Sequence, residues 1–152
     1  MPDRARLRLR PSPAIIRPRM KFVLIDHILE RSSERLVAIK QVSLAEEYLA
    51  DHFPTFPILP GVLMVEAMVQ AARALIGAPR NANLVLGEVK ALKYGNMVRP
   101  GEALEVEVTV QKRHEDGSIT FKGSGRVRRA GEASAGDDTA VSGKFTLRAA
   151  RK

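Results

Sequence analysis

Two side chains suited to proton transfer, His52 and Glu66, stand fourteen positions apart in the middle of the chain. Histidine is the usual general acid–base group near neutral pH. A carboxyl group in apolar surroundings has its pKa raised by desolvation, so we expect Glu66 to hold a proton near neutrality. A base beside a protonated acid suits the elimination or addition of water, provided that the fold or a dimer brings the two together.

A proline-rich loop separates these two residues and leads into an apolar helix. Pro54, Pro57 and Pro60 fix three φ angles and exclude helix from the loop. Gly61 follows directly and lets another group approach the backbone closely. A helix N-terminus carries unpaired N–H groups and about half a positive charge, so the Gly61 N–H is a candidate donor to a developing oxyanion.

The predicted helix, Gly61–Ile76, is apolar on nearly every side, with Glu66, Gln70 and Arg73 as its polar exceptions. A helix that is apolar all round is buried, and glutamate is rarely buried without a partner. Gln70 lies one turn after Glu66 on the same face, so we expect it to hold the carboxyl group by hydrogen bonding. The alternative interpretation is structural: a satisfied Glu–Gln pair, and a histidine that only supports its loop.

The rest of the chain predicts strands around this helix. Apolar and polar residues alternate from Leu84 onward, which is typical of half-buried antiparallel strands, and Asp116-Gly117 predicts a hairpin turn. The expected strands are 21–30, 35–42, 84–94, 103–114, 118–129 and 139–148, with a short helix over 44–50 that Ser43 caps. The order predicts an α+β fold in which a curved antiparallel sheet wraps around one long central helix. The helix side left uncovered predicts a second copy of the chain, in a two-fold dimer.

Composition narrows the class of protein. A chain of 152 residues predicts one domain, and the absence of cysteine excludes disulfides and thiolate metal sites and fits a reducing compartment such as the cytoplasm. Three histidines leave little material for a metal site, and no apolar run is long enough to span a membrane.

Residues 1–19 carry five of the eight net positive charges and are expected to be a disordered basic tail, with Met20 as an alternative start of the domain over 20–152. The domain has no arginine-and-aromatic stripe of the kind that binds nucleic acid.

The residues around His52 and Glu66 also resemble a known signature. The segment from His52-Phe53-Pro54 through Pro60-Gly61-Val62-Leu63 to Glu66-Ala67-Met68 and Gln70 is similar to the motif of the FabZ-type 3-hydroxyacyl-[acyl-carrier-protein] dehydratases. The similarity extends over about residues 20–149, including LVAIK at 36–40 and VRPGE at 98–102. The chain departs from the family at Thr55, where glycine is usual.

The resemblance implies a hot-dog fold and a homodimer, often assembled into a trimer of dimers, in which His52 of one subunit faces Glu66 of the other. The implied reaction converts a (3R)-3-hydroxyacyl chain on the phosphopantetheine arm of acyl-carrier protein to a trans-2-enoyl chain, with neither metal nor organic cofactor. His52 would remove the α-proton, the Gly61 N–H would polarise the thioester carbonyl, and Glu66, positioned by Gln70, would protonate the departing hydroxyl. The residues expected to line the substrate tunnel are Phe53, Phe56, Pro60 and Val62.

Acyl-carrier proteins are acidic, so the resemblance also predicts a basic docking surface near the tunnel. The candidates for that surface are Arg73, Lys90, Lys93 and Arg99. Two other functions stay open at this point: an acyl thioesterase on the same fold, in which a carboxylate activates water, and a non-catalytic acyl-binding module. The presence of both His52 and Glu66 favours the dehydratase over the binding module.

Overall fold

The computed structural model describes residues 22–80, 82–132 and 137–151. Within these ranges the elements are β1 (His27–Arg31), β2 (Arg35–Gln41), α1 (Tyr48–Asp51), α2 (Gly61–Ile76), β3 (Leu84–Tyr94), β4 (Ala103–Arg113), β5 (Ile119–Arg128) and β6 (Thr139–Ala149). The six strands form one antiparallel sheet in the order β1-β2-β4-β5-β6-β3. The predicted α+β architecture, one sheet around one long helix, is confirmed.

Helix α2 provides the centre of the hydrophobic core. It packs against strands β2 to β6, and its buried residues include Met64, Met68 and Leu75. The facing strand β4 alternates as predicted, with Leu104 and Val106 fully buried and the intervening glutamates partly exposed. Burying each such side chain contributes about 1.5–3 kcal/mol, so the sheet holds the helix mainly through apolar contact.

A glycine of β5, Gly123, allows the helix and sheet to approach closely. A Cβ atom there would lie 2.6 Å from the sulfur of Met68, so the absent side chain leaves the space in which Met68 of α2 sits. At Gly125 a Cβ atom would lie 2.8 Å from Leu104 Cδ1 and 2.9 Å from Val141 Cγ1, which are side chains of the neighbouring strands β4 and β6. These distances are shorter than van der Waals contact, so the inner face of β5 has no room for side chains at these positions.

Two sequence-based boundaries are wrong. The first strand begins at His27 rather than at residue 21, because the Leu24 N–H donates to the side chain of Gln70 instead of to a neighbouring strand. The short helix begins at Tyr48 rather than at 44, because Ser43 Oγ accepts from the Ala45 N–H and closes a turn there. The other strands and α2 match their predicted ranges to within one residue.

Strands β1 and β3 form the two edges of the sheet. Every residue of β3 after Leu84 is exposed in the single chain. The exposed residues include the large apolar side chains of Val85, Leu86, Val89 and Leu92. None of the helices in the described part is long and apolar enough to cross a membrane. The expectation for residues 1–19 lies outside the described residues.

Candidate active site

His52 is held by its own loop in a defined tautomer. Its Nδ1 lies 2.9 Å from the carbonyl oxygen of Ile58, and the Ile58 N–H donates to the His52 carbonyl at 2.9 Å. Because a carbonyl oxygen only accepts hydrogen bonds, Nδ1 carries the proton and Nε2 keeps its lone pair. The ring of Phe53 stacks on the imidazole with centroids 4.5 Å apart. Neutral His52 therefore presents a proton acceptor at Nε2.

Helix α2 starts next to this loop because proline and glycine set its first turn. Pro60 is the N-cap, with an extended backbone, and its carbonyl accepts from the N–H groups of Leu63 and Met64. The first N–H groups of a helix, including that of Gly61, have no partner inside the helix. The group that approaches Gly61 closely is the ring of Tyr94, since a Cβ atom at position 61 would lie 2.7 Å from Tyr94 Cε1.

A cavity of about 390 Å³ opens beside His52 and the start of α2. Its walls are mostly apolar, which suits an acyl chain, and it brings His52 and Gly61 together as the sequence predicted. The remaining lining residues are Ile58, Leu59, Val62, Met64, Tyr94, Gly95, Asn96, Met97 and Ala140.

Glu66 lies in the middle of α2, away from this cavity. It is half-buried, and its Oε1 accepts from Gln70 Nε2 at 3.1 Å. Gln70 in turn donates to the Phe22 carbonyl at 3.1 Å and accepts from the Leu24 N–H at 2.8 Å, so its amide orientation is fixed. Glu66 lies five residues after Gly61, which is about 140° around the helix and about 7.5 Å along it. Within one chain, Glu66 is not among the residues that line the His52 cavity.

The other residues predicted for the tunnel have different places. Val62 lines the cavity and is 72% exposed in the single chain, whereas Pro60 is buried at the helix cap. Phe53 and Phe56 form a tight turn through reciprocal backbone hydrogen bonds of 3.3 and 3.0 Å, with Thr55 exposed at its tip. Neither phenylalanine belongs to the cavity lining, and Phe53 contacts the site through its stacking on His52.

The four residues predicted for docking do not form one cluster. The Arg99 guanidinium lies 4.4 Å above the Phe56 ring, beside the His52 loop. Lys90 pairs with Glu88 at 3.0 Å, and both Lys90 and Lys93 lie on the exposed edge strand β3. Arg73 belongs to the last turn of α2, about 18 Å along the axis from Gly61. Arg99 is therefore the candidate that contacts the His52 loop, and Lys93 directly precedes Tyr94 of the cavity wall.

A buried ion pair anchors the segment that leads to His52. Lys40 of β2 points into the core with a side chain that is 7% exposed, and it bonds to Glu46, just before α1. Burial raises the pKa of Glu46 and is the largest single cause, but the hydrogen bonds that the carboxylate accepts, first that from Lys40, together leave the pKa below its usual value. The Ser43 N–H donates to the same carboxylate at 3.1 Å. This pair fixes the chain between β2 and α1.

Sequence reasoning missed the wall of the cavity that comes from Tyr94 to Met97 and from Ala140. These residues belong to the end of β3, the segment that follows it and the start of β6, and the two strands pair through Tyr94 and Val141. The available signal was weak: a tyrosine as the one aromatic residue of its strand, followed directly by Gly95 and Asn96.

Comparison with solved structures identifies the class of fold. The chain superposes on a chain of the ApeI:P dehydratase heterocomplex from Xenorhabdus doucetiae with a TM-score of 0.57, at 21% identity, covering 82% of this chain and 96% of that one. It also superposes on a hypothetical thioesterase from Streptococcus pneumoniae, solved with coenzyme A, with a TM-score of 0.56 at 10% identity, covering 82% and 84%. At such identities the likeness concerns the fold, which is the predicted hot-dog fold.

The sequence comparisons then give the family. Residues 29–135 match the family described as ApeI-like, ApeI dehydratase. The chain belongs to this dehydratase family. Relatives named 3-hydroxyacyl-[acyl-carrier-protein] dehydratase FabZ include those of Solibacter usitatus (39% identical, 66% of this chain, 64% of the relative) and Rickettsia akari (32% identical, 80% of this chain, 85% of the relative). The expectation of a FabZ-type dehydratase is confirmed at the level of the family.

Proposed function

We propose that the chain dehydrates (3R)-3-hydroxyacyl thioesters carried on acyl-carrier protein, giving trans-2-enoyl thioesters in fatty acid or related acyl-chain biosynthesis. The observation that supports this most directly is the tautomer of His52, whose Nε2 is a proton acceptor beside an apolar cavity at a helix N-terminus. Membership of the ApeI-like dehydratase family and the names of the FabZ relatives point to the same reaction class.

In the proposed mechanism, His52 Nε2 removes the proton from the α-carbon of the acyl chain. The electron pair left on that carbon is delocalised into the thioester carbonyl, whose oxygen takes up negative charge near the Gly61 N–H. As the α–β double bond forms, the C–O bond to the 3-hydroxyl breaks and Glu66 delivers a proton to the leaving oxygen, so that water departs. Gln70 holds the Glu66 carboxyl group for this transfer.

We further propose that the working unit is a cytoplasmic homodimer in which each site takes His52 from one subunit and Glu66 from the other. Glu66 lies outside the His52 cavity of its own chain, which supports a second chain as its provider. The edge strand β3 is eleven residues long, carries several exposed apolar side chains and has backbone groups without a strand partner along its outer edge, and it ends at the cavity. A second copy that pairs along β3 would cover this edge. A trimer of such dimers remains part of the proposal.

Carrier docking is proposed for the side of the molecule that holds Arg99. Its guanidinium is stacked on Phe56 of the His52 loop, so a fixed positive charge stands near the cavity, where an acidic carrier protein would arrive. Lys90, Lys93 and Arg73 would contribute long-range attraction. Replacing Arg99 by Ala should therefore raise KM for a carrier-linked substrate more than KM for a short pantetheine thioester.

The reaction is tested by hydration of a crotonyl thioester, which runs the proposed step in reverse and removes the absorbance of the conjugated double bond. His52→Ala and Glu66→Gln should each lower kcat by about 10²- to 10⁴-fold. His27→Ala and Glu115→Gln are matched controls, because both residues are exposed, neither lines the cavity and neither lies on β3. Near-wild-type turnover in either site variant would contradict the assigned roles, and release of free thiol without loss of the double bond would favour a thioesterase.

A further inference from the structure

The ring of Tyr94 lies directly on the first residue of α2. A Cβ atom built on Gly61 would be 2.7 and 2.8 Å from Tyr94 Cε1 and Cζ, and 3.2 Å from the phenol oxygen. The backbone of Gly61 and the hydroxyl-bearing end of Tyr94 therefore touch each other. A residue with a side chain at position 61 would displace this ring, which gives a local reason for glycine there.

The Tyr94 hydroxyl shares the cavity with His52. Both side chains line the same space of about 390 Å³, together with Gly61 and Val62. Tyr94 is 52% exposed in the single chain, so its hydroxyl is open to a molecule that enters the cavity. A phenol can donate one hydrogen bond, and it stands here beside the N–H groups that begin the helix.

We propose that the Tyr94 hydroxyl is a second hydrogen-bond donor to the thioester carbonyl oxygen, beside the Gly61 N–H; this rests on the proposed dehydratase function. As His52 removes the α-proton, negative charge grows on that oxygen and both hydrogen bonds strengthen. Two donors that are already oriented toward the same atom stabilise this charge more than one donor does. Tyr94 would then be a catalytic residue supplied by the end of β3.

The kinetic test removes only the hydroxyl. The chain has two tyrosines, so Tyr48→Phe is a matched control for Tyr94→Phe. The Tyr48 hydroxyl is buried beside the Glu46 carboxylate and does not line the cavity. We expect Tyr94→Phe to lower kcat for crotonyl thioester hydration by about 10- to 100-fold with little change in KM or melting temperature. Tyr48→Phe should retain the wild-type kcat.

A ring that only packs on Gly61 would be replaced by phenylalanine without loss. A kcat within about twofold of wild type for Tyr94→Phe would therefore overturn the proposal while the wild-type activity kept the dehydratase function intact. If the wild-type protein has no activity on 3-hydroxyacyl or enoyl thioesters, the proposed function fails and this role of Tyr94 fails with it.

A spectroscopic test detects the hydrogen bond itself. The probe is butyryl-pantetheine with a ¹³C-labelled carbonyl, which keeps the thioester but has no 3-hydroxyl to eliminate. Its carbonyl stretch, measured by isotope-edited infrared difference spectra at saturation, should lie at a lower frequency in the wild type and in Tyr48→Phe than in Tyr94→Phe. Equal frequencies in the three proteins would overturn the assignment, because the loss of a donor must weaken the polarisation of the carbonyl.

Discussion

The two halves of the candidate site have different kinds of support. His52 is oriented by its own loop, through hydrogen bonds with Ile58 only six residues further along the chain. Glu66 is oriented by Gln70, which is itself fixed by the backbone of Phe22 and Leu24, 46 to 48 residues away. The histidine half faces a cavity, whereas the glutamate half does not line it.

The orientation of His52 depends on contacts within its own loop, whereas the orientation of Glu66 depends on tertiary contacts between distant segments. The His52 loop fixes a ring and its tautomer with a few prolines and one hairpin-like exchange of hydrogen bonds. The position of the Glu66 carboxyl group depends on the segment before β1, through Gln70. A change in that segment should therefore displace Glu66 and leave His52 in place. The orientation of His52 and the orientation of Glu66 can therefore be disrupted separately.

The largest effect is expected from mixing two inactive variants. If each site combines His52 of one subunit with Glu66 of the other, a dimer of one His52→Ala and one Glu66→Gln chain contains one intact site and one doubly defective site. After random exchange from equal amounts, about a quarter of the wild-type activity should return, which is far above either variant alone. Activity is measured by crotonyl thioester hydration before and after subunit exchange. If mixed dimers form but activity does not return, His52 and Glu66 act together within one chain.

The next effect concerns the anchor of the histidine half. Replacing Lys40 by Met should lower the free energy of unfolding by about 3 kcal/mol, because the partly buried Glu46 carboxylate loses its partner. Lys90→Met breaks the exposed pair with Glu88 and should cost less than about 1 kcal/mol. Urea unfolding measures both. Similar costs for the two variants would mean that the buried pair does not anchor the segment before His52.

A smaller effect is expected from Gln70→Leu, which acts only on the glutamate half. The variant removes the hydrogen bond that positions Glu66 and should lower kcat for crotonyl thioester hydration by about tenfold with little change in KM. The Ile58 contact that orients His52 is untouched by this change. A drop in kcat that is matched by a loss of folded protein would assign Gln70 a structural role only.

The smallest effect is a pH dependence of stability. Burial raises the pKa of Glu46, but the hydrogen bonds that it accepts, first that from Lys40, together hold the pKa below the ordinary value of 4.5. A carboxylate with a lowered folded-state pKa contributes stability that is complete above the unfolded value and is lost as pH falls through the folded value. The unfolding free energy should therefore decline below about pH 4.5, and Glu46→Gln should make this decline less steep. An equally steep decline in that variant would assign the acid sensitivity to other carboxylates.

The fold could be predicted because its main elements carry local signals. Pro60 and Gly77 frame α2, and strict alternation marks β4, so both elements were found to within a residue. The failures at 22–26 and 44–47 have a common cause: backbone groups there bond to side chains instead of to a strand or helix. The Leu24 N–H contact to Gln70 spans 46 positions, and no local pattern announces it.

The site was predictable to a similar degree. The types and spacing of His52, Gly61 and Glu66 pointed to proton transfer, and the structure places two of the three at one cavity. The catalytic roles stay predictions until the variants are assayed. Tyr94 could not be found from sequence, because its place at the cavity depends on the end of β3 meeting the start of α2 in space. That meeting is set by the register of β3 against β6.

Gly123 gives the middle of α2 a seat on the sheet that has room for one flexible side chain. Met68 fills this seat, and it lies two residues after Glu66 on the same helix. A methyl group added at position 123 would have to displace the Met68 sulfur, which is the far end of a flexible side chain. The fifth strand thus tolerates change at position 123 only as far as Met68 can adopt another rotamer, so these two positions should vary together.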